Sequence, residues 1–212
     1  MKVLMLNGSP HPRGNTARAL REVADTLQAE GIDSELVQVG ARPVRGCIGC
    51  GKCWNKGRCI FGDDAVNSFV EKAGEADGFV FGTPVYYAHP SSEVMAFLDR
   101  AFHCDEGDEP YPAFRYKPAA SLSIARRGGA TTSYDVMNKY FGIAQMPIVT
   151  STYWNIAYGQ KPGEVEGDAE GLQTARNIAH NMAWLLKCID AGKRAGFEAP
   201  ATEYGSVTNF VR

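Results

Sequence analysis

The sequence predicts a doubly wound α/β fold: a five-stranded parallel sheet, ordered 2-1-3-4-5, with helices on both faces. Three observations predict it. Short apolar runs alternate with segments whose apolar residues recur every three or four positions, five times along the chain. The first strand, first helix and second strand have the spacing of a right-handed parallel βαβ unit. The run Gly78-Phe79-Val80-Phe81-Gly82 is apolar without alternation, as a central strand covered on both faces must be.

Length and composition set the frame. A chain of 212 residues suffices for one sizeable α/β domain, 1–212, and no linker divides it. With 44% hydrophobic and 22% charged residues it reads as globular. A formal net charge of −2 gives no reason to expect nucleic acid or an anionic membrane as partner, and falls short of the acidity of a dedicated small electron carrier. The apolar run after Lys2 is too short for an export signal or a membrane span. A cytoplasmic location is therefore expected, where six cysteines are better suited to thiolate chemistry or metal binding than to disulfides.

Val3–Leu6 is the first strand. It enters a Gly- and Pro-rich turn, and the helix that follows has Asn15 as its expected N-cap, an inner face at Thr16, Leu20, Val23 and Leu27, and Gly31 at C′. Ser34–Val39 is an edge-proximal second strand. Residues 42–62 form a loop holding five glycines and four cysteines. Asp63-Asp64 opens a second helix with Val66, Phe69, Val70 and Ala73 inward. After the central strand, Ser91 or Ser92 caps a third helix that buries Val94, Phe97, Leu98 and Ala101.

Asp105–Lys117, acidic and Pro-rich, is expected to be a surface connection. Pro118–Ala125 is the fourth strand, Ala130–Phe141 a helix, Pro147–Tyr153 the fifth strand and Tyr158–Gly167 a loop. Ala175, Ile178, Met182, Leu185 and Ile189 step through a long final helix, and the tail 196–212 shows no period. Cys104 and Cys188 read as small core residues, and His103 and His180 as structural. His89, close to the site in sequence, is a candidate substrate contact.

Ligands of such sheets sit beyond the carboxyl ends of the strands, where three segments fall: Asn7–Thr16, Thr83–Tyr87 and Ala125–Gly129. In the first, unpaired helix N–H groups, the hydroxyls of Ser9 and Thr16 and the charge of Arg13 suit a phosphate. An ordinary βα turn fits Gly and Ser alone equally well. Five residues separate Gly8 from Gly14, and Asn15 stands where a nucleotide-binding P-loop needs lysine. No Gly-x-Gly-x-x-Gly follows the strand either, so one terminal phosphomonoester remains. The chain has no Ser-His-Asp order, no His-Glu-x-x-His and no carboxylate pair placed for acid–base work. Hydride chemistry carried by a cofactor fits that gap.

Gly8-Ser9-Pro10 followed by Gly14-Asn15-Thr16 resembles the phosphate loop of the NADPH-dependent FMN reductase family, in the flavodoxin-like superfamily. The resemblance implies a flavodoxin-like sheet with the FMN phosphate held by Ser9, His11, Arg13, Gly14, Asn15 and Thr16. Thr83-Pro84-Val85-Tyr86-Tyr87 resembles the family's Ser/Thr-Pro-x-Tyr loop, and Arg126-Arg127-Gly128-Gly129 its third flavin loop. Contacts to the flavin ring are implied for Pro84, Val85, Tyr86, Tyr87, Ala125, Arg126, Arg127, Gly128 and Gly129. On residue type alone, the tyrosines suit packing on the third helix and the arginines a solvated surface.

Cys47, Cys50, Cys53 and Cys59 follow Cys-x2-Cys-x2-Cys-x5-Cys, a spacing that can reach around a cuboidal cluster while the glycines let the backbone wrap it. It resembles the cysteine motif of the iron–sulfur flavoproteins, a branch of the same family that carries a [4Fe-4S] cluster beside FMN. The Cys-Pro ending of bacterial ferredoxin motifs is absent, since Ile60 follows Cys59. The closing Thr208-Asn209-Phe210-Val211-Arg212 resembles cluster-free relatives as well, in which these cysteines are thiols near the substrate site. Cluster, free thiols and zinc thus stand as three readings, zinc fitting the crowded spacing least.

The resemblance implies a homodimeric or homotetrameric FMN oxidoreductase that takes electrons from NAD(P)H. The acceptor would be small: a quinone, flavin, azo or nitro compound. One alternative is an iron–sulfur flavoprotein passing electrons between FMN, a [4Fe-4S] cluster and a protein partner. Another is a flavin- or quinone-binding regulator without turnover.

Overall fold

The computed structural model describes residues 1–39, 42–208 and 210. Its centre is two strands with no polar face to offer water. Strand β1 (Lys2–Asn7) is buried from Val3 to Asn7, and β3 (Gly78–Tyr86) from Gly78 to Pro84. Side chains alternate across such strands. Val3, Met5 and Val80 therefore pack beneath α1 (Asn15–Ala29) and α5 (Ala169–Arg194). Leu4, Leu6, Phe79 and Phe81 face α2 (Val66–Glu75), α3 (Ser92–Cys104) and α4 (Ala130–Ile143). An aromatic stack fills this second layer, with Phe69 edge-on to Phe97 at 5.1 Å and Phe102 stacked on Phe114 at 4.5 Å.

The remaining strands are β2 (Asp33–Gln38), β4 (His89–Pro90), β5 (Ala119–Ala125) and β6 (Ile156–Tyr158). The order is β2-β1-β3-β5-β6, parallel throughout, with β4 off this path and antiparallel to β3. The parallel α/β class is as expected, while among the described residues the sheet counts six strands where five are predicted. The additional strand folds back as a hairpin on the end of β3. Ser91 is the cap of α3, accepting from the Val94 N–H at 3.3 Å. The left-handed Gly31 follows α1 as predicted.

Four expectations are corrected. Pro147–Tyr153 makes only one parallel bridge, Ile148 to Ala119. Pairing resumes at β6, where Ile156 faces Ser123. From Ala119 to Ser123 is four steps and from Ile148 to Ile156 eight, so Thr150–Trp154 leaves the sheet. Local bonds compete with the ladder there: Ser151 Oγ donates to Tyr153 O at 2.7 Å and Asn155 Nδ2 to Val149 O at 3.1 Å. Helix α2 starts at Val66, just after the acidic pair: Asp64 Oδ1 accepts from the Val66 N–H at 3.1 Å while the same carboxylate pairs with Arg100 of α3. Asp105–Lys117 is only partly a surface connection, since Asp105, Tyr111, Ala113 and Phe114 are buried. Cys188 is exposed, whereas Cys104 is in the core as expected.

The Asp105 carboxylate accepts from the Ala113 N–H at 2.9 Å, and burial pushes its pKa up from 3.8 to about 6. The folded chain therefore keeps this proton to higher pH than the unfolded chain. The stability it contributes is full below pH 3.8 and is lost as the pH rises through about 6. Asp105→Asn keeps an acceptor without the charge. Thermal melts should show a flatter pH profile for the variant between these limits and a gain of about 2 kcal/mol at pH 8. A variant less stable than the parent at pH 8 would contradict this.

Candidate functional site

The turn after β1 is held from below by its own polar groups. Gly8 donates to Gly82 O at 2.9 Å, and a Cβ on Gly8 would lie 1.7 Å from Val94 Cγ2, so only glycine fits there. Asn7 Oδ1 accepts from the Ser9 N–H at 3.1 Å, Asn7 Nδ2 donates to Gln38 Oε1 at 2.6 Å, and Gln38 Nε2 donates to Ser9 O at 2.6 Å. Ser9 Oγ accepts from the His11 N–H at 3.1 Å, and Ser91 Oγ donates to Gly8 O at 3.0 Å. These bonds fix the loop without using the donors at the start of α1.

Asn15 is not the N-cap. Gly14 takes that position, with extended backbone and no side-chain cap. The Asn15 amide turns the other way, donating to Lys161 O at 2.9 Å and accepting from the Val165 N–H at 3.3 Å, and so ties α1 to the loop after β6. The first-turn N–H groups and the positive end of the helix dipole are left without a side-chain acceptor. The Thr16 side chain, 2% exposed, lies on the wall of the adjoining cleft.

That cleft encloses about 390 Å³. It brings together Ser9, His11, Gly14, Asn15 and Thr16 from the first loop, Pro84, Val85 and Tyr86 from the second, and Arg126 from the third. Ile124, Gly159, Gln160 and Pro162 complete the wall and are absent from the sequence prediction. The last three follow β6 at the same end of the sheet. Their signal was the position of the fifth strand, which the sequence misplaces. Arg13, Tyr87, Ala125, Arg127, Gly128 and Gly129 lie off the wall. Tyr87 is fully exposed on the β3–β4 hairpin, where it and Ala88 both take left-handed backbone, φ 51° and 59°. Gly129 packs on that hairpin: with φ 90°, a Cβ on it would lie 2.3 Å from Ala88 Cα. Its close approach is thus to backbone. Ala125 is buried, its carbonyl accepting from the Gly159 N–H at 3.0 Å. Burial, and then the charge of Glu93, raise the pKa of Tyr86. His89 is exposed on β4 and off the cleft wall.

The four cysteines of the 42–62 loop line a second, small pocket together with Arg100, His103 and Cys104 of α3. Left-handed turns at Gly49, Gly51, Asn55 and Gly57 wrap the chain around it. Cys47 Sγ accepts from the Gly49 N–H at 3.5 Å, and Cys59 Sγ accepts from Arg100 Nε at 3.3 Å. Burial raises the Cys53 thiol pKa, and the neighbouring Cys59, Cys50 and Cys47 add to the shift. Burial likewise pushes Cys104 up to about 12. Among the described residues no three ligating side chains close on a single ion. A cuboidal cluster is larger than an ion and spreads its thiolates further apart, and four thiols around one pocket with two N–H donors aimed at sulfur fit that larger group. Sequence reasoning missed Arg100, Cys104 and Asn67, whose side chain brackets the Cys59 backbone. His103 borders this pocket and pairs with Glu106 at 3.0 Å, while His180 pairs with Glu30 at 2.9 Å on the surface.

A depression of about 460 Å³ between β2 and the cysteine loop is larger than either pocket, but its acids are already paired: Asp63 with Arg45 at 3.5 Å, and Asp64 with Arg100. No helix among the described residues is long and apolar enough to cross a membrane. Of the ending 208–212, Asn209, Val211 and Arg212 lie outside the described residues.

Residues 1–161 match the family described as NADPH-dependent FMN reductase. An iron–sulfur flavoprotein of Methanocaldococcus jannaschii is 33% identical, over 89% of this chain and 99% of that one. One from Archaeoglobus fulgidus is 30% identical, over 88% and 92% respectively. Among solved structures, RosB with bound 8-demethyl-8-formylriboflavin-5′-phosphate aligns with a TM-score of 0.68 at 20% identity, covering 100% of this chain and 94% of that one. An archaeal flavodoxin aligns at 0.59 and 12% identity, over 88% and 99%. At such identities the likeness shows the fold, a flavodoxin-like sheet.

Asn15→Ala should leave the buried Val165 N–H unpaired and lower stability by about 1–3 kcal/mol in urea melts. A stability equal to the parent's would mean that the tie between α1 and the loop after β6 carries no weight.

Proposed function

The chain belongs to the NADPH-dependent FMN reductase family, and from that premise we propose that it is an iron–sulfur flavoprotein, an oxidoreductase holding FMN in the cleft and a [4Fe-4S] cluster on Cys47, Cys50, Cys53 and Cys59. The observation that carries this reading is the meeting of those four thiols in one pocket beside a buried arginine. The length-spanning likeness to iron–sulfur flavoproteins supports it further. FMN supplies hydride and single-electron transfer when bound, and the cluster single-electron transfer.

The residues have separable tasks. The open first turn of α1 and the Thr16 hydroxyl bind the phosphate, and Ser9 holds the loop in the shape that presents them. Pro84 and Val85 stiffen one wall and Tyr86 covers an apolar face of the ring. Arg126, on the cleft wall and exposed, would supply positive charge to a flavin held there. NAD(P)H would be the donor, and the cleft walled by Pro84, Val85, Tyr86 and Arg126 would take nicotinamide and acceptor in turn. The working unit is a homodimer or homotetramer.

A second reading is a cluster-free NAD(P)H oxidoreductase that reduces a small acceptor. It is favoured by the openness of the cleft and the exposure of Cys47 and Cys50. An iron assay and visible spectrum of anaerobically prepared protein separate the two. The first reading expects flavin bands with a broad cluster shoulder and close to four irons per chain, about the content of one cuboidal cluster. Iron absent after anaerobic reconstitution, with quinone-dependent NAD(P)H oxidation, gives the second. Under both, Thr16→Ala should weaken FMN by about 1–3 kcal/mol in fluorescence titrations with little change in melting. An unchanged flavin affinity would move the phosphate elsewhere.

A further inference from the structure

Arg100 is the largest fully buried side chain among the described residues, 1% exposed. Its five N–H groups meet five acceptors. Nε donates to Cys59 Sγ at 3.3 Å. One terminal nitrogen donates to Arg45 O at 3.2 Å and to the Asp64 carboxylate. The other donates to Phe61 O at 3.0 Å and to the second Asp64 oxygen at 3.2 Å. Burial works against the charge, but Asp64 and the Cys59 sulfur outweigh it, and the pKa lies above the ordinary arginine value.

A buried ion pair of this kind rarely stabilises a fold more than apolar side chains of the same volume would. If bracing the core were its whole task, a leucine and a methionine would serve. Three of the five acceptors instead belong to the 42–62 loop: two carbonyls and a thiol. A neutral thiol is a weak acceptor, so a guanidinium N–H aimed at it gains most when the sulfur is a thiolate. Asn67 adds a second grip on the same residue. Its Oδ1 accepts from the Cys59 N–H at 2.8 Å, and its Nδ2 donates to Cys59 O and Phe61 O, both at 3.0 Å. Cys59 is thus fixed at backbone and sulfur, while Cys47 and Cys50, on the same pocket, are exposed.

We propose that Arg100 is a positioning residue of the cysteine site: it holds the Cys59 sulfur and both ends of the loop, and stabilises the reduced state of the group the four thiolates bind. The inference rests on the cluster reading given above. An N–H···S bond favours the more negative state of a thiolate-bound centre and so raises its reduction potential. Arg100→Lys keeps a cation for Asp64 but loses the fork that also reaches sulfur. Arg45→Ala is the control, because the Arg45 side chain is exposed and only its carbonyl meets Arg100.

The test starts from wild-type protein reconstituted anaerobically with iron and sulfide. In Arg100→Lys the cluster potential should move negative, and iron loss to a chelator should quicken by roughly 10–100-fold, with FMN retained. Arg45→Ala should match wild type in both. Wild-type potential and release rate in Arg100→Lys would overturn the proposal. If Arg100→Lys does not fold, Arg100→Met/Asp64→Leu leaves no unpaired buried charge. It must show the same negative shift or loss of iron, and wild-type behaviour overturns the proposal. If wild-type protein takes up no iron, the cluster reading itself fails. Trypsin then reads the holding of the loop in the flavin-loaded chain, at Lys52, Lys56 and Arg58. Faster cleavage in Arg100→Lys upholds the positioning role, and an equal rate overturns it.

Discussion

Both sites depend on how closely α3 approaches the end of the sheet. At the point where β1 and β3 finish, Gly8 and Gly82 are bonded to each other and each lies against a helix. A Cβ on Gly8 would overlap Val94 of α3, and one on Gly82 would sit 2.7 Å from Leu20 Cδ1 of α1. Neither neighbour is the free end of a flexible chain, so any side chain here pushes a helix outward. With α3 seated, its first turn holds Gly8 through Ser91, and its later turns present Arg100, His103 and Cys104 to the cysteine pocket. Arg100 lies nine positions after Ser91, about 14 Å along a helix. One rigid element therefore sets the floor of the phosphate loop and the wall of the thiol pocket together.

The two sites use their polar groups in opposite ways. In the phosphate loop, Asn7, Gln38, Ser9 and Ser91 satisfy one another and the loop backbone, and only the first turn of α1 is left open toward the cleft. That is preorganisation: the open donors are held in place, and an anion bound there would require no rearrangement of the loop. The cysteine loop has no such internal network among its own side chains. Its order comes from outside it: from Arg100 and Asn67 on helices, and from Asp108, which exchanges two bonds with the Asn55 side chain.

Much of this was legible in the sequence, for a physical reason. The inner faces of α1, α2 and α3 were read residue by residue, because a 3.6-residue period over two or more turns leaves few alternatives. Nine of the candidate flavin-site residues share the cleft, since loops at the carboxyl ends of neighbouring parallel strands must converge. What was not legible depends on partners distant in sequence. Asn15 has the residue type of a cap, yet its amide goes to Lys161 and Val165. Pro147–Tyr153 has the composition of a strand, but Ser151 and Asn155 draw its backbone out of the ladder. Arg100 gave no signal, because a lone arginine in a helix is ordinarily solvated and only the fold shows it buried.

The cysteine loop lacks regular secondary structure and carries left-handed residues at Gly49, Gly51, Asn55 and Gly57. Each such turn costs chain entropy that the loop's own contacts do little to return, as Ile48, Trp54 and Ile60 stay exposed. Cys53 alone of the four thiols is buried; it joins the aromatic core layer, and its thiol lies 3.7 Å from the His103 carbonyl. The loop's order rests on Arg100, Asn67 and Asp108; a group held on the four thiols, as proposed above, would add to it, and part of its binding free energy would go into ordering the loop. The flavin cleft needs no such coupling. The division follows from chemistry: a helix end already offers donors for an anion, whereas a group on the four thiols would be enclosed by chain whose side-chain ties come from outside the loop.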